Sequence, residues 1–120
     1  MKTRGQLEAE ISEALIKFEK EYMGRGPEET QSYVLGDMIL VRLRGVLTPA
    51  EKQLAETDDY AEGRRLVKQV RMQLLEKART LLETIVRDLT GRDVQSLHTD
   101  ISTKTGERVI LFTLDVTCNP

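Results

Sequence analysis

Tyr22-Met23-Gly24-Arg25-Gly26-Pro27 and Leu89-Thr90-Gly91-Arg92-Asp93-Val94 are two versions of one local instruction, and reading them together decides the fold. In each, an amphipathic run ends at a Gly-Arg pair and a β-rich run follows. Glycine takes the left-handed conformation that closes a helix at no steric cost, and Pro27 cannot continue a helix. Before each stop lies a helix, and after it lie two extended segments joined by a tight turn. The first pair of extended segments covers residues 30–35 and 38–46, the second residues 94–103 and 107–116. The chain is thus an αββ unit written twice.

The helix over 6–23 follows from Leu7, Ile11, Ala14, Leu15, Phe18 and Tyr22, which share one stripe. Glu8, Glu10, Glu13, Lys17, Glu19, Lys20 and Glu21 fill the opposite side. The period then changes to two. Gly36-Asp37 is a tight turn, and beyond it Ile39, Val41 and Leu43 fall on one strand face with Leu40, Arg42 and Arg44 on the other. Thr48-Pro49-Ala50-Glu51 starts a short helix: Thr48 caps, Pro49 occupies the first position, and Glu51 returns a bond to the Thr48 amide. Thr57-Asp58-Asp59 interrupts that helix, and Gly63 marks a further break.

The dominant helix covers 64–89. Val67, Val70, Leu74, Ala78, Leu81, Ile85 and Leu89 set its stripe, widened by Leu66, Leu75, Leu82 and Val86. Its length exceeds what a four-stranded sheet needs as cover. The last strand places Ile110, Phe112, Leu114 and Val116 on one face. Val109 and Leu111 on the other are too apolar for simple exposure. The order α-β-β-α-α-β-β predicts an α+β domain: a four-stranded, mostly antiparallel sheet covered by helices, with residues 1–120 forming one domain. The surplus apolar surface of sheet and long helix predicts a homodimer.

At 120 residues the chain can bury a core without disulfides or metal. A formal net charge of -2 gives no global positive field to attract nucleic acid or an anionic membrane. Cys118 is the one cysteine, so neither a disulfide framework nor a zinc cluster is expected. Met1-Lys2-Thr3-Arg4-Gly5 is basic with no apolar run of signal-peptide type behind it. The longest apolar stretch, 38–41, is far below a membrane span. A cytoplasmic protein without direct membrane insertion is the expectation.

No catalytic motif accompanies this architecture, and no catalytic, metal or cofactor residue is assigned. His98 and Asp100 share a strand face by alternation, but a surface imidazole beside a surface carboxylate is the simpler reading. Gly24-Arg25-Gly26-Pro27 lacks the spacing of a phosphate loop and closes a helix, the end that presents carbonyls and partial negative charge. Gly24, Gly26, Pro27 and Gly91 are therefore structural. Arg25 and Arg92 are read first as partners of helix ends or carboxylates, and in sharper form as two arginines converging near a pseudo-twofold axis to bind a small anion. Arg42, Arg44, Arg64, Arg65, Lys68 and Arg71 carry a nucleic-acid reading, weakened by the lack of Trp and the few aromatics available for base stacking.

Three segments together, Phe18-x-x-x-Tyr22-x-Gly24-Arg25-Gly26-Pro27, Val41-x-Leu43-x-Gly45-Val46-Leu47-Thr48-x-x-Glu51 and Leu89-Thr90-Gly91-Arg92-x-Val94, resemble the MpsC-like domain family of bacteria. The likeness spans nearly the whole chain, with departures around 100–106. The family takes its name from a cation-coupled, membrane-potential-generating system linked to inorganic-carbon uptake. The resemblance implies an accessory or regulatory partner of a membrane transporter and brings no catalytic residues with it. A non-enzymatic interaction or regulatory module is the leading expectation, and a small-anion or nucleic-acid binding domain is the alternative.

Overall fold

A computed structural model describes residues 2–56 and 60–115. The Thr57-Asp58-Asp59 interruption, Val116 and Cys118 lie outside the described residues. Seven elements follow in the expected order: α1 (Arg4–Met23), β1 (Glu29–Leu35), β2 (Met38–Arg44), α2 (Pro49–Ala55), α3 (Tyr60–Thr90), β3 (Val94–Ile101) and β4 (Arg108–Leu114). The strands form one sheet in the order β1-β2-β4-β3, and every neighbouring pair is antiparallel.

Alternation sets which strand residues face the helices. Val34, Ile39, Val41, Leu43, Leu97, Ile101, Ile110, Phe112 and Leu114 are buried against Leu7, Ile11, Leu15 and Phe18 of α1 and Val67, Leu75, Ala78, Leu82 and Val86 of α3. The helices share one side of the sheet, with α1 over β1, α3 over β3 and α2 packed on α3. Leu40 pairs with Leu111 at the middle of the β2–β4 seam. The two hairpins are related by a pseudo-twofold axis through this point, which is how an αββ unit used twice makes one continuous sheet.

Helix ends are encoded locally. Thr48 accepts from the Glu51 amide while the Glu51 carboxylate accepts from the Thr48 amide at 2.8 Å, as the sequence predicts. An equivalent box between Thr3 and Gln6 starts α1 two residues earlier than the apolar stripe alone indicates. Gly24 and Gly91 close α1 and α3 at φ +88° and +72°. Nothing lies within 4 Å of a Cβ built on Gly91, so its requirement is purely conformational. Gly91→Ala should therefore cost about 1–2 kcal/mol, the left-handed penalty of an L-residue, read as a lower urea midpoint at unchanged slope.

Two expectations about the long helix are corrected. It runs through Gly63, which is buried, and so begins at Tyr60 rather than after a break. Its 31 residues extend about 46 Å, consistent with a molecule 52 Å long and only 24 by 22 Å across. Its buried line is also rotated from the expected stripe. The residues facing the sheet are Val67, Arg71, Leu75, Ala78, Leu82 and Val86, whereas Val70 and Leu81 are 53% and 47% exposed. An arginine lies in that line.

Candidate functional site

Arg71 is one of three charged side chains that the fold buries together. It sits on the sheet-facing line of α3, Arg108 on the inward face of β4, and Glu19 beside Phe18 on α1; exposures are 2%, 2% and 0%. Each obeys the burial period of its own element, since Glu19 continues Ile11 and Leu15, and Arg108 precedes Ile110 and Phe112 in the alternation. This corrects the placing of Glu19 on the outer side of α1 and of Arg71 in a solvated basic face.

Arg71 is held hardest. Its Nε and Nη2 donate to the Glu51 carboxylate at 2.7 and 2.6 Å, and Nη2 also donates to the Val46 carbonyl at 2.7 Å. Glu51 thus caps α2 and neutralises α3 with one carboxylate. Burial would raise the Glu51 carboxyl, but the Arg71 hydrogen bonds and the Thr48 amide outweigh it, and the group lies below its ordinary 4.5.

Glu19 has no such anchoring. Its Oε1 is 3.8 Å from both Arg71 Nη1 and Arg108 Nε, an electrostatic pairing too long for hydrogen bonds. Both Glu19 oxygens, Arg71 Nη1, and Arg108 Nε and Nη1 lack a hydrogen-bond partner. Burial pushes the Glu19 carboxyl up, with Arg108 and Arg71 opposing and Glu51 adding to the rise. The same burial pulls Arg108 down, with Glu19 opposing. A cavity of about 20 Å³ lies against the two arginines, bounded also by Lys68, Met72, Thr99, Asp100 and Ile101. At its rim Lys68 Nζ meets Asp100 at 3.3 Å.

Among the described residues, the opposite side of the sheet carries no helix. Tyr33, Leu40, Leu111 and His98 form one row across it, and Leu35, Met38, Thr113 and Ser96 the next. On the other side of the central row lie Gln31, Arg42, Val109 and Asp100, where Arg42 meets Glu107 at 2.8 Å, and past it Arg44 meets Glu29 at 3.3 Å. An apolar centre with an ion-paired border is the composition of a contact surface. Sequence patterning had flagged Val109 and Leu111 here.

Arg25 and Arg92 are not brought together. Arg25 donates from Nε to the Gly45 carbonyl at 3.2 Å and pairs with Glu28, tying the end of α1 to the end of β2. Arg92 is exposed beside Val94, which pairs with Leu114 at the other end of the sheet. The pseudo-twofold axis that relates the two Gly-Arg stops also sends them to opposite corners. His98 and Asp100 do not pair either: His98 reaches Ser96 at 3.2 Å, and Asp100 is taken by Lys68 and the Ile101 amide. The basic residues do not make a bare stripe, since Arg42, Arg44, Arg65, Lys68 and Arg71 each face a carboxylate. Among the described residues, no group of three or more His, Cys, Asp or Glu could hold a metal ion.

The sequence profile described as "Na+-translocating membrane potential-generating system (MpsC)" matches residues 3–116. This chain belongs to the MpsC family. It is also 42% identical over 118 residues to the uncharacterized protein YbcI of Bacillus subtilis (strain 168), covering 98% of this chain and 90% of that protein. No solved structure matches it. For this MpsC-family member, no helix among the described residues is long and apolar enough to cross a membrane.

Proposed function

We propose that the chain is a non-enzymatic assembly module of a bacterial cation-coupled membrane system, acting in the cytoplasm as a homodimer closed through the helix-free face of its sheet. The observation that carries this is the uncovered apolar centre around Leu40 and Leu111, set on the pseudo-twofold axis. Strands of seven or eight residues, four abreast, give a face of about 19 by 24 Å. Its planar area of about 460 Å² is a little over half of the roughly 800 Å² per partner of a standard stable interface, and side-chain relief adds to it. Sheets stack about 10 Å apart on faces of this kind. The membrane context rests on the family description, and no helix among the described residues is long and apolar enough to cross a membrane.

Leu111→Glu is the test. It places a carboxylate at the centre of the proposed seam and leaves the helix-facing core untouched. The parent protein should sediment at twice the chain mass and Leu111→Glu at the chain mass, with unchanged circular dichroism. In native cells solubilised with mild detergent, the parent should co-purify an integral membrane cation transporter. A monomeric parent overturns the dimer, and recovery of the protein alone in repeated purifications overturns the accessory role.

A further inference from the structure

We propose that the cavity between Arg71 and Arg108 is a binding site for a single small monovalent anion of chloride size. The argument starts from unused donors. Arg71 Nη1 and Arg108 Nε and Nη1 are buried and without acceptors, on side chains that are each 2% exposed. Orphaned buried donors cost free energy unless something accepts from them. Glu19 stands too far off at 3.8 Å. The adjoining cavity of about 20 Å³ has room for one occupant of roughly water size. Arginine donors reject a cation there. Lys68, at the rim and paired with the exposed Asp100, gives the site a positively charged entrance that opens by parting one surface ion pair.

Charge balance makes the site responsive to pH. The groups facing the cavity and Glu19 are Arg71 and Lys68 from α3, Glu51 from α2, Arg108 from β4 and Asp100 from β3. With Glu19 ionised these six charges cancel, and Glu19 already offsets the guanidinium charge that would hold the anion. With Glu19 protonated the cluster carries one net positive charge, and an anion restores neutrality. Proton and anion therefore enter together, and burial of Glu19 already favours its protonated form.

Chloride titration at constant sodium and ionic strength, with gluconate as the replacement anion, tests this. The readout is the Arg Nε–Hε resonances in ¹⁵N spectra of the intact chain. A saturable shift of the Arg108 signal is expected, with the apparent Kd weakening about tenfold per pH unit once Glu19 is ionised. Glu19→Gln should bind chloride with the same Kd at pH 5.5 and pH 8. Arg108→Met should abolish the chloride response of the Arg71 signal. Absence of any saturable chloride shift in both the parent and Glu19→Gln would mean the cavity holds only water, and would overturn the proposal. Equal chloride affinity of the parent at the two pH values would overturn the coupling to Glu19.

Discussion

Glu51→Ala should be among the most damaging single substitutions outside the apolar core, lowering unfolding free energy by about 3–4 kcal/mol. Two losses combine. The Thr48 amide loses its acceptor, and Arg71 loses both hydrogen bonds to the carboxylate while remaining buried. Glu19 at 3.8 Å partly offsets the charge, which keeps the figure at the lower end of what breaking a buried pair costs. Urea denaturation of the parent, Glu51→Ala and Glu51→Gln separates the terms. Glutamine at this position still closes the capping box but turns an amide N–H toward Arg71 Nε, so its smaller loss reports the Arg71 pairing without the cap. A Glu51→Gln variant as stable as the parent would show that the Arg71 pairing contributes little.

The same pair predicts a pH signature. Glu51 has its folded-state pKa held below the ordinary 4.5, so its stabilisation is present above that pH and fades as pH falls through the folded value. The stability gap between parent and Glu51→Gln should narrow on acidification below pH 5. Glu19 has the opposite sign: its raised folded-state value favours the fold most below 4.5 and loses that contribution as pH rises through the higher value. Denaturation midpoints measured across pH 3–8 resolve both limbs, and a gap that widens in acid would contradict the assignment to Glu51.

Why the fold could be read and the charged cluster could not has one cause. Period two in 38–44, Thr48-Pro49-Ala50-Glu51 and the stops at Gly24 and Gly91 are local signals whose meaning does not depend on the rest of the chain. Residue type and spacing together identified Leu7, Ile11, Leu15, Phe18, Ile39, Val41 and Leu43 as buried. Glu19, Arg71 and Arg108 keep the spacing of buried residues and violate the type, so a reading that discards charges from apolar stripes loses them. In α3 that discard also moved the stripe, because without Arg71 the series through Val70, Leu74 and Leu81 fits as well as the true one. The available clue was geometric: Arg71 falls one turn after Val67 and one before Leu75. What no local pattern contains is the meeting of α1, α2, α3 and β4 at one point, which only the β2–β4 pairing creates.

The double substitution Glu19→Leu/Arg108→Met should make the protein more stable, by about 1–4 kcal/mol. Two charges have been taken from water into the core, and the distances between them are too long to return the full cost. Either change alone should have the opposite sign. Glu19→Leu leaves Arg108 without its closest carboxylate and should cost about 3–5 kcal/mol, and Arg108→Met leaves Glu19 with Arg71 as its remaining cationic partner. A thermodynamic cycle of these variants by urea denaturation then measures what the pair contributes. If the double variant is less stable than the parent, the pair is a net structural support and its presence needs no other reason. If it is more stable, the fold carries a costly buried charge pair beside an anion-sized cavity, and a binding role explains a cost that folding does not. Loss of the chloride response in a variant that is more stable than the parent would separate the two roles within one molecule.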